Sequence, residues 1–144
     1  MYTTMLSPDF NMEATLVAQT GTSATAVNGT GVDVTKYRTK DLAILVNAPV
    51  ASASDTITFT VEHSDAASSG FGAVTAADLV DRDGNPATFT VVTDAIPVTE
   101  VLFLRKTGNL KRYVRVVATV AGGTITTYFC AFIGGLYEYT EEGS

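Results

Sequence analysis

The chain has 144 residues, 46% of them hydrophobic, which is enough for one domain with its own core and excludes disorder of the whole chain. Fifteen acidic residues against nine Lys and Arg give a net charge of −6, and this argues against a nucleic-acid partner, because displacing counterions from phosphates needs a basic surface. No apolar stretch nears the roughly 20 residues of a bilayer span, and the single cysteine, Cys130, excludes an internal disulfide, so a soluble chain made in a cytoplasm, without a membrane partner, is expected.

In chain order, residues 1–12 hold Pro8 and scattered apolar side chains with no period, and read as an extended N-terminal arm of the kind a neighbour orders. They have neither the basic start nor the apolar run of a signal peptide. From residue 13 to 137 the signal is β. Thr and Val dominate there, and both are stiff at χ1 in a way that suits a pleated sheet. Strands are predicted at Ala14–Gln19 and Ala24–Asn28. In the next, Leu42, Ile44 and Val46 alternate, while Leu45 adds apolar surface to the second face. From Thr56 to Glu62 the alternation is strict: Ile57, Phe59 and Val61 point one way and the threonines the other, as in a half-buried strand.

Residues 64–72 are small and polar and read as an exposed loop, and Ala73 to Leu79 is either a short helical turn or an irregular crossover. Further strands are predicted at Ala87–Thr93, Val101–Arg105, the segment from Arg112 in which Val114, Val116, Ala118 and Val120 alternate, and Thr124–Ile133. Asn28-Gly29, Asp83-Gly84 and Gly108-Asn109 tolerate positive φ, and Gly122-Gly123 between two strand patterns predicts a tight hairpin. Residues 138–144, with Glu138, Glu141 and Glu142, form an acidic tail. About eight antiparallel strands with such turns predict an all-β fold, a β-sandwich or barrel of jelly-roll-like type, over residues 13–137.

Constellations that carry chemistry are sparse. His63 is the one histidine, and Ser64 beside it points to the opposite face of a strand, so no proton-transfer pair forms between them. Cys130 lies in the apolar run Tyr128 to Ile133 and reads as a buried, inert thiol. Asp81-Arg82-Asp83-Gly84-Asn85 resembles the opening of a calcium loop, but Gly falls two positions early and Val92 stands where the closing Glu belongs, so a β-turn is expected, with weak calcium binding as the alternative. No catalytic residue, metal site or cofactor is expected. Arg105, Lys106, Lys111, Arg112 and Arg115 cluster, and read as a turn plus the exposed face of a strand. With Val114 and Val116 inward, Tyr113 and Arg115 share an outer face, to which Leu102, Leu104, Val117 and Phe129 add. Tyr and Arg are the residue types of binding hot spots, and burial of both faces is the competing reading.

The run Leu42 to Val50, then Thr56 to Asp65 with Val61-Glu62-His63-Ser64-Asp65, then Phe71, resembles a group of small tailed-phage virion proteins. Leu104 to Val116, with Lys111-Arg112-Tyr113-Val114-Arg115, and Ala121-Gly122-Gly123 before the last apolar strand continue the resemblance, which covers roughly Asp41 to Phe132. It implies a capsid decoration (cement) protein on the exterior of a virion, with the major capsid protein and itself, as homotrimer or homodimer, for partners. Tyr2, Phe10, Met12, Tyr113 and Arg115 are then the contact candidates. The alternatives are a tail or head-tail adaptor component, or a ligand-binding module for sugar or calcium. The absence of Trp counts against sugar.

Overall fold

A computed structural model describes residues 10–21, 25–52, 54–122 and 125–136, the last segment by backbone alone at 125–127. The described strands are β1 (Phe10–Gly21), β2 (Thr25–Asn28), β3 (Val32–Asp33), β4 (Asp41–Ala48), β5 (Thr56–Ser64), β6 (Gly72–Ala73), β7 (Leu79–Val80), β8 (Val98–Arg105), β9 (Tyr113–Ala121) and β10 (Ile125–Leu136). Sheet A has the order β1-β10-β4-β8-β7, and sheet B the order β2-β9-β5-β6, with β3 also on β9. All pairings are antiparallel.

The pairing is nested: β1 with β10, β2 with β9, β4 with β8, β5 with β6. The chain runs out and back as a ribbon, and the ribbon rolls up so that β10 also meets β4 and β9 also meets β5. This is the jelly roll, and the two-residue strands β3 and β7 are additions to its eight.

The alternating positions make the core. Leu42, Ile44 and Val46 of β4, Ile57, Phe59 and Val61 of β5, Val114, Val116 and Val120 of β9, and Phe129 and Ile133 of β10 are all buried in one cluster. Phe59 stands edge-on to both Phe89 and Phe129, with ring centroids 6.4 and 6.2 Å away. A buried side chain of this size contributes about 1.5–3 kcal/mol by leaving water. The core therefore draws on the period-2 pattern of each strand directly.

One polar residue ties the two sheets. Between Ala14 and Leu16 the register of β1 shifts. Thr15 is thereby turned toward sheet B, where its buried Oγ1 donates to the Thr30 carbonyl (2.8 Å) and accepts from the Val116 N–H (3.1 Å). Gly29 donates to the Val116 carbonyl at 2.9 Å. A Cβ at Gly29 would collide with Thr15 and with that carbonyl, so this glycine serves close approach; its φ is not positive.

Several expectations are corrected. Gly122-Gly123 does not make a hairpin: β9 lies in sheet B and β10 in sheet A, because both edges of β9 are taken by β2, β3 and β5. Gly122 does adopt φ 104°, at a corner between sheets. Ala87–Thr93 is not a strand. Only Val92 pairs, with Ile57, because the Thr90 N–H is captured by the Glu100 carboxylate at 2.9 Å. Phe10 to Met12 belong to β1 and pair with Leu136, Gly135 and Gly134, so the boundary expected after residue 12 falls inside a strand. Residues 1–9 and 137–144, with most of the expected arm and all of the acidic tail, lie outside the described residues. The segment Ala73 to Leu79 contains a single 3-10 turn at Ala76–Asp78. Among the described residues, no helix is long and apolar enough to cross a membrane.

Candidate functional site

The sandwich presents two outer faces, and the sequence candidates divide between them. On sheet B, Tyr113 and Arg115 do share the outer face, as expected from inward Val114 and Val116. Arg115 is already engaged. Its guanidinium donates through Nε and an Nη to one oxygen of Glu62 (2.8 and 2.6 Å), directly opposite on β5, and its Cζ lies 4.2 Å from the Phe71 ring centroid. Arg112 repeats the device: it binds Asp33 at 2.9 Å and sits 5.2 Å over the Tyr113 ring.

The Arg112 guanidinium, aided by the amide and hydroxyl of Thr35, holds the Asp33 carboxyl down at about 2 against the opposing effect of burial. Lys106 donates to the Tyr37 carbonyl, and Arg105 to the Gly84 carbonyl at 3.0 Å. Arg105, Lys106, Arg112 and Arg115 of the basic cluster are thus internal fasteners that hold loops onto sheet B and the end of β8. The expected apolar additions to this face are corrected: Leu102, Leu104 and Phe129 are buried in the core, and only Val117, itself buried, lies in the outward phase of β9.

Sheet A is different. Its register aligns Met12, Gly134, Ala43 and Phe103 in one outer row, and Ala14, Phe132, Leu45 and Val101 in the next. A third row holds Cys130, Asn47 and Thr99. These three rows contain no charged residue. Val101 is 45% exposed, Ala14 is exposed, and Ala43, Leu45, Phe103, Phe132 and Cys130 are half-buried. Along one margin, Phe10, Ala43, Phe103, Lys40 and Asp41 line a recess of about 350 Å³. In the same wall the buried Thr39 hydroxyl has no hydrogen-bond partner among the described residues.

Phe10 and Met12 therefore sit on the face of sheet A, on the opposite side of the sandwich from Tyr113 and Arg115; Tyr2 is outside the described residues. Most of the sheet A face carries no site residue expected from the sequence. Its signal was present in the continuous apolar runs Leu42 to Val46, Val101 to Leu104 and Tyr128 to Ile133, since such runs mark strands covered on both faces.

The residues considered for chemistry are placed elsewhere. His63 and Ser64 point to opposite faces of β5. Nδ1 of His63 accepts weakly from the Lys111 N–H at 3.3 Å, and Ser64 Oγ holds the following loop by donating to the Ser69 carbonyl. Burial and then the Lys111 ammonium push the imidazole pKa down, against Asp65 and Asp78. Asp81 accepts from the amides of Asp83 and Asn85 (2.9 and 3.0 Å), and Gly84 takes φ 85°, which is the turn chemistry expected for this loop. Cys130 is not in the core but on the outer face of sheet A, half-buried, with burial raising its thiol pKa. Among the described residues no group of three or more His, Cys, Asp or Glu could hold a metal ion. Compared with protein-family models and with curated protein sequences, the chain matches none.

Proposed function

We propose that this chain is a non-catalytic structural domain that docks onto a larger protein surface through the outer face of sheet A, and that the surface is the exterior of an assembled phage capsid, with the major capsid protein as partner. The observation that carries the docking reading is the pair of uncharged outer rows centred on Leu45, Val101, Phe103 and Phe132. Over these rows three adjacent strands, β10, β4 and β8, are apolar on both sides, while on the other outer face Arg115 and Arg112 are ion-paired within the chain. A contiguous exposed apolar patch of this kind marks an interaction site in a soluble protein.

The choice of a capsid rests on the resemblance of the Thr56 to Phe71 and Leu104 to Val116 segments to small virion proteins, and on the mechanics of decoration. A subunit that binds only the assembled shell stabilises it by mass action, and needs a docking face but no reacting groups. Purified chain mixed with undecorated capsids is expected to cosediment with them and to raise their resistance to heat, and Val101→Lys and Phe132→Lys to abolish both effects. Failure of the unsubstituted chain to bind would overturn the reading.

A further inference from the structure

The outer edge of β5 is pinned at both ends and open in the middle. At one end Ile57 and Val92 exchange N–H···O bonds of 3.1 and 2.9 Å. At the other, the Val61 carbonyl accepts from the Val74 N–H at 3.2 Å and His63 pairs with Gly72. Alternate residues of an antiparallel strand address the same edge, so the N–H and C=O of Phe59 and the N–H of Val61 point there too. None of these three groups has a backbone partner among the described residues, although Phe59 is only 3% exposed. Buried backbone groups in that condition are rare and costly.

The segment that could pair there is Ala87–Val91, running back from Val92 with a strand-like sequence. It is held off by two bonds: the Thr90 N–H goes to Glu100 on β8, and the Ala87 N–H goes to the Leu79 carbonyl at 2.9 Å. The separation leaves a cleft of about 360 Å³ walled by Phe59, Val61, Val74, Leu79, Phe89 and Val91, with no charged residue in its lining.

We propose that this cleft receives, by strand addition to β5, the segment Tyr2–Ser7 of a second copy of the chain. Main-chain bonds to an open edge supply affinity in this mode, and pockets for alternate side chains supply selectivity. Charge selects the segment. Residues 137–144 carry Glu138, Glu141 and Glu142, which an uncharged apolar wall would leave desolvated and unpaired. Tyr2-Thr3-Thr4-Met5-Leu6-Ser7 has no charge, consists largely of residues with β preference or apolar bulk, and is followed by Pro8, which cannot continue a ladder. Reach selects the copy. β1, where Phe10 stands, is the far edge of sheet A from β7, whose Leu79 lines the cleft. Four strand intervals are about 19 Å, whereas the three residue steps from Ser7 to Phe10 reach at most about 11 Å. A chain cannot seat this segment in its own cleft.

The test uses the full chain and two variants, Met5→Pro in the inserting segment and Ala87→Phe in the cleft wall, with sedimentation velocity and amide hydrogen exchange. The unsubstituted chain is expected to associate, and each variant to sediment as monomer. An equimolar mixture of the two is expected to recover a heterodimer, because one still offers the open edge and the other a competent segment. On association the amides of Phe59 and Val61 should exchange at least about ten-fold more slowly. Monomeric behaviour of the unsubstituted chain, association retained in both variants, a mixture that stays monomeric, or association without protection of those amides would each overturn the proposal. Val101→Lys, which removes the docking face of sheet A, should leave this association unchanged, so the two readings fail separately.

Discussion

On the outer face of sheet B, Arg115 and Arg112 each meet a carboxylate and an aromatic ring of their own chain, whereas on the outer face of sheet A, Leu45, Val101 and Phe132 stand in rows without a charge. Both faces sit on rigid antiparallel strands, and both contain residue types common at interfaces. What separates them is whether their groups already have partners. A guanidinium held bidentate at 17% exposure has little left to offer a second protein, and its energy goes into holding Glu62 and Phe71 in place. An apolar row that its own chain covers only in part gains about 25 cal/mol for each further Å² that a partner covers. Hot-spot residue type is therefore a poorer guide here than the state of each group's bonding.

The contrast between buried and outward positions is greatest within one strand. Phe129 and Phe132 of β10 face opposite ways, one into the core and one onto the outer face of sheet A. Phe129→Ala is expected to cost about 3–5 kcal/mol in urea unfolding, by transfer loss and cavity together. Phe132→Ala should cost less than half as much in the isolated chain, and equal losses would show that the outer face is covered internally. The clasp between the sheets comes next: Gly29→Ala should destabilise by about 1–3 kcal/mol through overpacking against Thr15 and the Val116 carbonyl.

For sheet B, Arg115→Ala leaves a quarter-exposed Glu62 without its partner and uncovers Phe71, and about 1–3 kcal/mol of stability should go with it. Lys at 115 should not restore it, because an ammonium lacks the planar fork that both donates twice and stacks. For sheet A, Val101→Lys should change stability by no more than about 0.5 kcal/mol while removing docking, since the side chain is already half in water.

A further effect is in acid. Asp33 lies at about 2 when folded against 3.8 ordinarily, so its contribution is complete above 3.8 and is lost as pH falls toward 2. In Arg112→Ala the carboxyl should titrate closer to 3.8, as read by carboxyl-carbon NMR, and the acid-side loss of stability should shrink.

Much of the β architecture was legible beforehand. Ile57, Phe59 and Val61, or Val114, Val116 and Val120, declare a buried row because side-chain direction in a strand depends only on position along that strand. The same local rule placed Tyr113 and Arg115 outward. It failed at Leu102, Leu104 and Phe129, which share their runs with outward Val101, Phe103 and Cys130; in a run that is apolar at every position, alternation carries no sign. It failed again at Ala87–Thr93, where a strand-like stretch is diverted by Glu100, a residue of the opposite sheet.

By itself, then, the sequence determined that this chain folds into antiparallel strands around one apolar core, because periodicity and turn chemistry act over a few residues. The tertiary structure decided which strands meet. Gly122 turns a corner between sheets instead of closing a hairpin, Arg115 finds Glu62, and among the described residues the edge of β5 stays open between Ile57 and Val61. Such outcomes depend on competition for strand edges between segments far apart in the chain, and no local pattern contains that competition.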